Sequence, residues 1–531
     1  MDNKRVIIAL VLSFAVLFGW QYMFPPPKTA PAPAAEQQAP APAPAPAPLA
    51  PAAPVADYAP VPGHSVTVKT PLYTAVLNSA GGVLERFSLE RFKETIQRDS
   101  RTVDMIGDAR VKAPLGLILG GVPTWHMGQW GAPAGDLALA DGETKTLTFV
   151  GDSAGFRIER KLTFQAGSYL VREELTLTNL GSAQAQTRLS FTAASNTLSG
   201  ASDSYNPTRI EYLFNKKSMT EKEKGDLEKG VSDSGPLDWA SINSNYFIFA
   251  LLPQAEQATL KAALQDGVYR LAVDQDLQVD AGAAKTLHCS YYLGPMDRGI
   301  LSAMPAGLGS AVNFGWFHLL AVPLLWILDW FYQFVHNYGL AIILLTVLIK
   351  IIFWPLSQKS YKSMEQMKKL QPMIQKLREK YGDDKQRLNQ EIMHLHKTYK
   401  VSPLGGCLPM VVQIPVFFGL YKALLGAVEL RHASFIAHVP FTDLIWLADL
   451  SAKDPYYVTP LIMGATMFIQ QRMTPSTGDP TQAKIMLFMP VVFTFLFLNF
   501  PSGLVVYWLV NNVLSIAQQW WMIRAPKGQN K

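Results

Sequence analysis

Apolar residues follow two rhythms along this chain. Between residues 64 and about 295 they alternate with polar ones, or cluster with β-branched and aromatic types, in HSVTVKT, YTAVLNS, FRIERKLTF, YLVREELTLTN and NYFIFALL. Gly81, Gly82, Gly151, Gly167 and Gly181 stand between these runs. A period of two puts one set of side chains on one face of a strand, so residues 63–300 are predicted to form an all-β sandwich of antiparallel strands. Elsewhere the apolar runs are unbroken. Residues 338–356, YGLAIILLTVLIKIIFWPL, carry Lys350 as their only charge. As a helix they reach about 28 Å, close to the thickness of a hydrocarbon core. Four more runs, at 407–428, 456–471, 485–500 and 504–523, predict spans over 404–428, 456–472, 485–500 and 501–523. Residues 1–24 place Lys4 and Arg5 before an apolar stretch ending at Trp20 and Tyr22, which predicts an uncleaved signal anchor; cleavage in the Ala-rich stretch after Thr29 is the alternative.

The predicted class is therefore a polytopic α-helical membrane protein of six transmembrane helices, both ends cytoplasmic, with the sandwich outside. Residues 25–62 hold 14 prolines in 38 positions, a polyproline II tether. Within the connector 301–337, residues 314–337 are apolar enough to span. Crossing there would put segment 357–403 outside, and that segment carries 11 basic and 5 acidic residues. The positive-inside rule instead lays 314–337 in the outer interface as an amphipathic helix. Residues 357–403 predict a cytoplasmic helical hairpin. Met364, Met367, Leu370, Ile374, Leu377 and Tyr381 form one stripe, and Leu388, Ile392, Leu395 and Tyr399 the other. Gly382, Asp383 and Asp384 supply the turn and cap, and Pro372 predicts a kink. The outer loop 429–455 is net −2, the loop 473–484 contains Lys484, and the tail 524–531 is basic. Two of the predicted spans rest on runs of sixteen residues, about 24 Å of helix, which predicts a locally thinned bilayer.

Charge and cysteine content narrow the chemistry. Residues 57–300 hold 24 basic and 28 acidic residues, so the basic excess is local and implies no nucleic-acid partner. Cys289 and Cys407 are the only cysteines, which excludes a disulfide framework or a cysteine metal cluster. His394 and His396 fall on different faces of a helix, so no metal site is expected there. The sandwich offers no paired carboxylates in a recognisable setting, and Trp125, Trp130 and Trp239 read as core or rim. Lys350 could snorkel to the headgroups. However, Thr346 lies four residues before it on the same face, and Gln413, Gln470, Gln471, Asn511, Asn512, Ser515, Gln518 and Gln519 sit in other runs. Polar groups are costly in lipid, so their recurrence on several helices predicts a shared wet groove.

Several strings make the chain recognisable: LQPMIQKLREKYGDDKQRLNQE, VSPLGGCLPMVVQIPVFFGLY, LSAKDPYYVTPLIMGATMFIQQRMTP and DPTQAKIMLFMPVVFTFLFLNFPSGLVVYWLVNN. The chain resembles the YidC family of membrane protein insertases, of the Gram-negative type with a large periplasmic domain. The resemblance implies a bacterial inner-membrane insertase and chaperone without covalent chemistry, hence no catalytic residue, no cofactor and no small-molecule substrate. It implies a hydrophilic groove whose charge is Lys350, where the family usually has arginine, with Thr346, Gln413, Asn511, Asn512 and Ser515 as groove polar groups. It implies a client-contacting slide of Thr346, Phe417, Met463, Leu496 and Trp508, the last usually a tyrosine. The hairpin, with Met364, Met367, Lys368, Lys369, Asp383 and Asp384, would dock ribosome and signal-recognition targeting machinery. The sandwich would touch accessory proteins of the Sec translocon. Two rivals arise from the residues alone. One is an intramembrane Ser-Lys protease with Lys350 activating Ser515, Ser502 being read as a helix cap; the other is a solute transporter.

Overall fold

The computed structural model describes residues 63–524 except 98, 132–134, 197, 199–205, 223, 382–383, 400, 402–407, 440 and 474–479. The expected anchor 1–24 and tether 25–62, the tail beyond Arg524, and Gly382, Asp383 and Cys407 therefore lie outside the described residues.

The period-two segments are strands whose burial alternates. In Phe156–Gln165 the inward set is Phe156, Ile158, Arg160, Leu162 and Phe164. A nine-stranded sheet has at its centre Phe247–Pro253, Ala284–Pro295, Leu170–Asn179 and Phe156–Gln165, each paired antiparallel with the next. A six-stranded sheet is built around Ala258–Gln265, Val268–Val279 and Ala185–Ser195, and a five-stranded sheet adds Ser65–Lys69 and its neighbours. Arg160 is an exception to the apolar inner face. It is fully buried and donates to both carboxylate oxygens of Glu173, at 2.6 and 3.1 Å, while Tyr291 donates to the same carboxylate at 2.6 Å.

Seven helices carry the apolar runs and the hairpin: α1 His318–Val335, α2 Tyr338–Tyr381, α3 Lys385–Thr398, α4 Leu408–Gly426, α5 Val458–Met473, α6 Pro480–Phe497 and α7 Ser502–Arg524. α1 stops at His336, whose φ of 49° is left-handed, and Asn337 Oδ1 caps α2 by accepting from Leu340 N at 3.0 Å. α2 is 44 residues long, about 66 Å, so the span 338–356 and the first arm of the hairpin are one helix. The helix continues through Pro355 and Pro372. Met367, Leu370 and Ile374 flank Pro372 and pack on Ile392, Leu395 and Val401. Asp384 caps α3 as expected, accepting from Arg387 N at 3.0 Å. By length and composition, residues Gly315–Val335 and α2 suffice to cross a membrane, while Val411–Gly426 and Met486–Phe497 are shorter apolar helices.

The sandwich and the helices share apolar packing. Phe314, Ala321 of α1, and Ala423 and Val428 at the end of α4 belong to the sandwich core. Arg431 closes the seam by donating to Glu94 O at 3.1 Å with its guanidinium 5.3 Å from the Phe247 ring. Ser502 departs from the expected cap. α7 begins at Ser502, so Pro501 stands at the cap, its carbonyl accepting from Val505 N at 3.3 Å, and the Ser502 hydroxyl donates to Asp449 O at 3.0 Å, which ties α7 to loop 429–455. Asp454 does the capping in that loop, accepting from Thr459 N at 2.7 Å, Thr459 Oγ1 at 2.8 Å and Trp446 Nε1 at 3.0 Å.

Candidate functional site

Helical spacing turns Lys350 of α2 toward α7. Its Nζ donates to Ser515 Oγ at 2.7 Å, and Ser515 Oγ in turn donates to Asn511 O at 2.7 Å, four residues back on its own helix. Gln413 of α4 donates from Nε2 to Asn511 Oδ1 at 2.7 Å. Three helices are thus joined by one polar chain, and half-buried Lys350 borders a hollow of about 10 Å³ with Ile349, Phe353, Ser357 and Gln413. That is room for about one water. Further along α7, Asn512, Gln518 and Gln519 are buried, and Asn512 Nδ2, Gln518 Nε2 and Gln519 Oε1 have no hydrogen-bond partner among the described residues. Polar groups left so in apolar surroundings favour water beside them.

The remaining expected residues separate into two groups. Phe417 meets Trp508 edge to face at 4.7 Å, and Trp508 also lies 5.3 Å from Phe497 and 6.3 Å from Phe493. Leu496, on α6, is half exposed on the outside. Thr346 and Met463 are fully buried in the helix core, and the Thr346 hydroxyl donates to Ile342 O at 2.7 Å. Phe353 and Ser357, three and seven residues after Lys350, were missed although that spacing marks the Lys350 face. Phe493 and Phe497 were missed because nothing in the sequence sets them beside Trp508.

On the hairpin, Lys368 and Lys369 are exposed, Lys369 lying 3.7 Å from Glu365, while Met364 is half buried and Met367 buried. A cleft of about 380 Å³ runs between α2 and α3, lined by Met373, Lys376, Lys380, Glu391 and His394 among others. In the Lys350–Ser515 pair the two polar atoms lie at hydrogen-bonding distance. The ammonium is the donor, and the hydroxyl proton is committed to a backbone carbonyl.

Residues 65–327 match the family model of the YidC periplasmic domain and residues 330–529 that of the 60Kd inner membrane protein. The membrane protein insertase YidC of Maridesulfovibrio salexigens is 56% identical over 540 residues, covering 99% of this chain and 100% of that one. The chain belongs to the YidC family of membrane protein insertases. The YidC of Nitratidesulfovibrio vulgaris is 57% identical over 536 residues and that of Lawsonia intracellularis 47% over 533, each covering 99% of this chain and all of its own. The sandwich is accordingly the periplasmic domain of an inner-membrane YidC insertase, whose clients are membrane proteins and whose work is insertion into the bilayer, not an enzymatic reaction. The two YidC family models meet inside α1, so the first turns of that helix go with the periplasmic domain.

Proposed function

We propose that this insertase receives client segments in a groove centred on Lys350, and that the polar chain from Lys350 through Ser515 and Asn511 to Gln413 is the observation that carries this reading. In this reading the chain crosses the membrane six times, through the anchor, the first part of α2, α4, α5, α6 and α7, with both ends and the hairpin in the cytoplasm. α1 lies in the outer interface, its exposed Leu319, Trp326 and Phe334, with Trp316 just before it, in the lipid. Lys350 and water beside it lower the cost of bringing a polar client tail part-way across a bilayer thinned around α5, which has only 16 residues. The client's apolar segment then moves over Phe417, Trp508 and Leu496 into lipid, while Thr346 and Met463 shape that wall from behind. Burial of some 20 apolar residues at about 25 cal/mol per Å² supplies the drive without a nucleotide. The basic hairpin meets ribosome and targeting machinery, and the sandwich meets accessory proteins of the Sec translocon.

Reconstitution tests the charge. Lys350→Arg should insert acid-tailed and neutral-tailed clients alike, since a hydrated positive charge suffices, whereas Lys350→Ala and Lys350→Glu should lose acid-tailed clients severalfold. Normal insertion of acid-tailed clients by Lys350→Glu would end the electrostatic part. Crosslinks from Trp508 to a stalled nascent chain would place the client, and their absence would remove the slide.

A further inference from the structure

At the far ends of α5 and α7, two guanidiniums lie over rings of their own helices. Arg524 stands 4.1 Å from the Trp520 ring centre and Arg472 5.0 Å from that of Phe468, each pair four residues apart. A cation–π contact uses no N–H donor of the guanidinium as a hydrogen bond, so its fork of donors stays available to grip a phosphate in two-pronged fashion. Neither arginine has a carboxylate partner among the described residues. The sequence explains why: beyond Asp454 the only acidic residue is Asp479, against Arg472, Lys484, Arg524, Lys527 and Lys531.

The two ends belong to one rim. Gln519 donates from Nε2 to Met473 O at 2.8 Å, which fastens the end of α5 to α7 and covers a terminal carbonyl that would repel an anion. Trp521 meets Trp354 of α2 at 5.8 Å, and Trp354, Trp520 and Trp521 are all exposed. Trp354 is one helical turn past Lys350, so this rim borders the mouth of the candidate groove. Indoles with an apolar body and a single N–H favour the headgroup level of a membrane.

We infer that this rim is a binding site for the phosphate of an anionic phospholipid, held by Arg472 and Arg524 with the indoles against the glycerol and upper acyl chains. This rests on the orientation proposed above, which puts the rim at the cytoplasmic leaflet. A basic side chain at such a surface strengthens binding of an anionic lipid severalfold, and two together about tenfold or more.

The test is native mass spectrometry of the full-length protein in detergent, offered equal amounts of phosphatidylglycerol and phosphatidylcholine. The wild type should retain phosphatidylglycerol about tenfold over phosphatidylcholine, and the double variant Arg472→Gln/Arg524→Gln should lose that preference. The variant Lys527→Gln/Lys531→Gln should keep it. Equal retention by the wild type, an unchanged preference in the arginine variant, or an equal loss in the lysine variant would each overturn the site. Displacement of phosphatidylglycerol by inorganic phosphate would also overturn it in favour of a free-phosphate site. A melting temperature of the arginine variant within a few degrees of wild type, read in the same detergent, separates lost binding from lost folding. No client enters this measurement, so its failure leaves the role of Lys350 standing, and failure of the Lys350 variants leaves the lipid result standing.

Discussion

Lys350 Nζ and Ser515 Oγ, 165 positions apart in sequence, lie 2.7 Å apart. Because the serine proton is already given to Asn511 O, the pair works in one direction, hydroxyl accepting and ammonium donating, and it leaves the lysine with further N–H donors for water or a client carboxylate.

Changes at Ser515 should therefore act through charge. Ser515→Thr keeps the acceptor and should insert every client at near the wild-type rate. Ser515→Asp pairs with the ammonium and cancels it, so acid-tailed clients should insert about tenfold more slowly while neutral-tailed ones stay within about twofold. Protease protection of the translocated tail in proteoliposomes measures both; uniform behaviour of the two client classes would contradict it.

Gly464 fits α5 against α6. A Cβ there would run into Thr494 Oγ1 and come 3.1 Å from its Cβ, so Gly464→Ala should force the helices apart and cost about 1–3 kcal/mol. Thr494→Ala removes the nearer atom, and the double variant should recover most of the loss. Melting of the four proteins in detergent forms the cycle.

The buried Arg160–Glu173 pair should be the sandwich's most sensitive polar contact. Glu173→Ala leaves a guanidinium and the Tyr291 hydroxyl in the core without their acceptor, at about 3–5 kcal/mol. Removing the partly exposed Arg188, 2.7 Å from Asp276, should cost under about 1 kcal/mol. Denaturation followed by tryptophan fluorescence would rank them.

Glu429, three residues past the end of α4, has its carboxyl pushed up to about 7, chiefly by burial and then by the charges of Asp297 and Asp329. A carboxyl raised in the folded state favours folding fully below its ordinary value and loses that contribution as pH rises through about 7. Resistance to heat should accordingly fall between about pH 5 and pH 8, by about 3 kcal/mol at most. Glu429→Gln should flatten the slope; a slope unchanged in that variant would assign it elsewhere.

Alternation along the chain made the sandwich legible, because burial follows the period of a strand whatever its partners. It did not reveal the Arg160–Glu173 pair. The register makes Arg160 face inward, but its counter-charge comes from the neighbouring strand, and pairing is a long-range outcome. The same limit governs the site. Thr346 and Lys350 share a face by spacing alone, yet that spacing is silent on depth, and Thr346 is turned into the core. Ser515 was recognisable as a polar residue in an apolar run, and only packing of α2 on α7 makes it the acceptor for Lys350. Ser502 misled because the helix begins on it, leaving Pro501 at the cap.

Phe314, Ala321, Ala423 and Val428 are embedded in the same oily interior as the strands, so the globular head has no neck of its own at this junction. A torque applied to the head loads α1 and the end of α4 directly, and heating should melt head and adjoining helices in a single calorimetric peak.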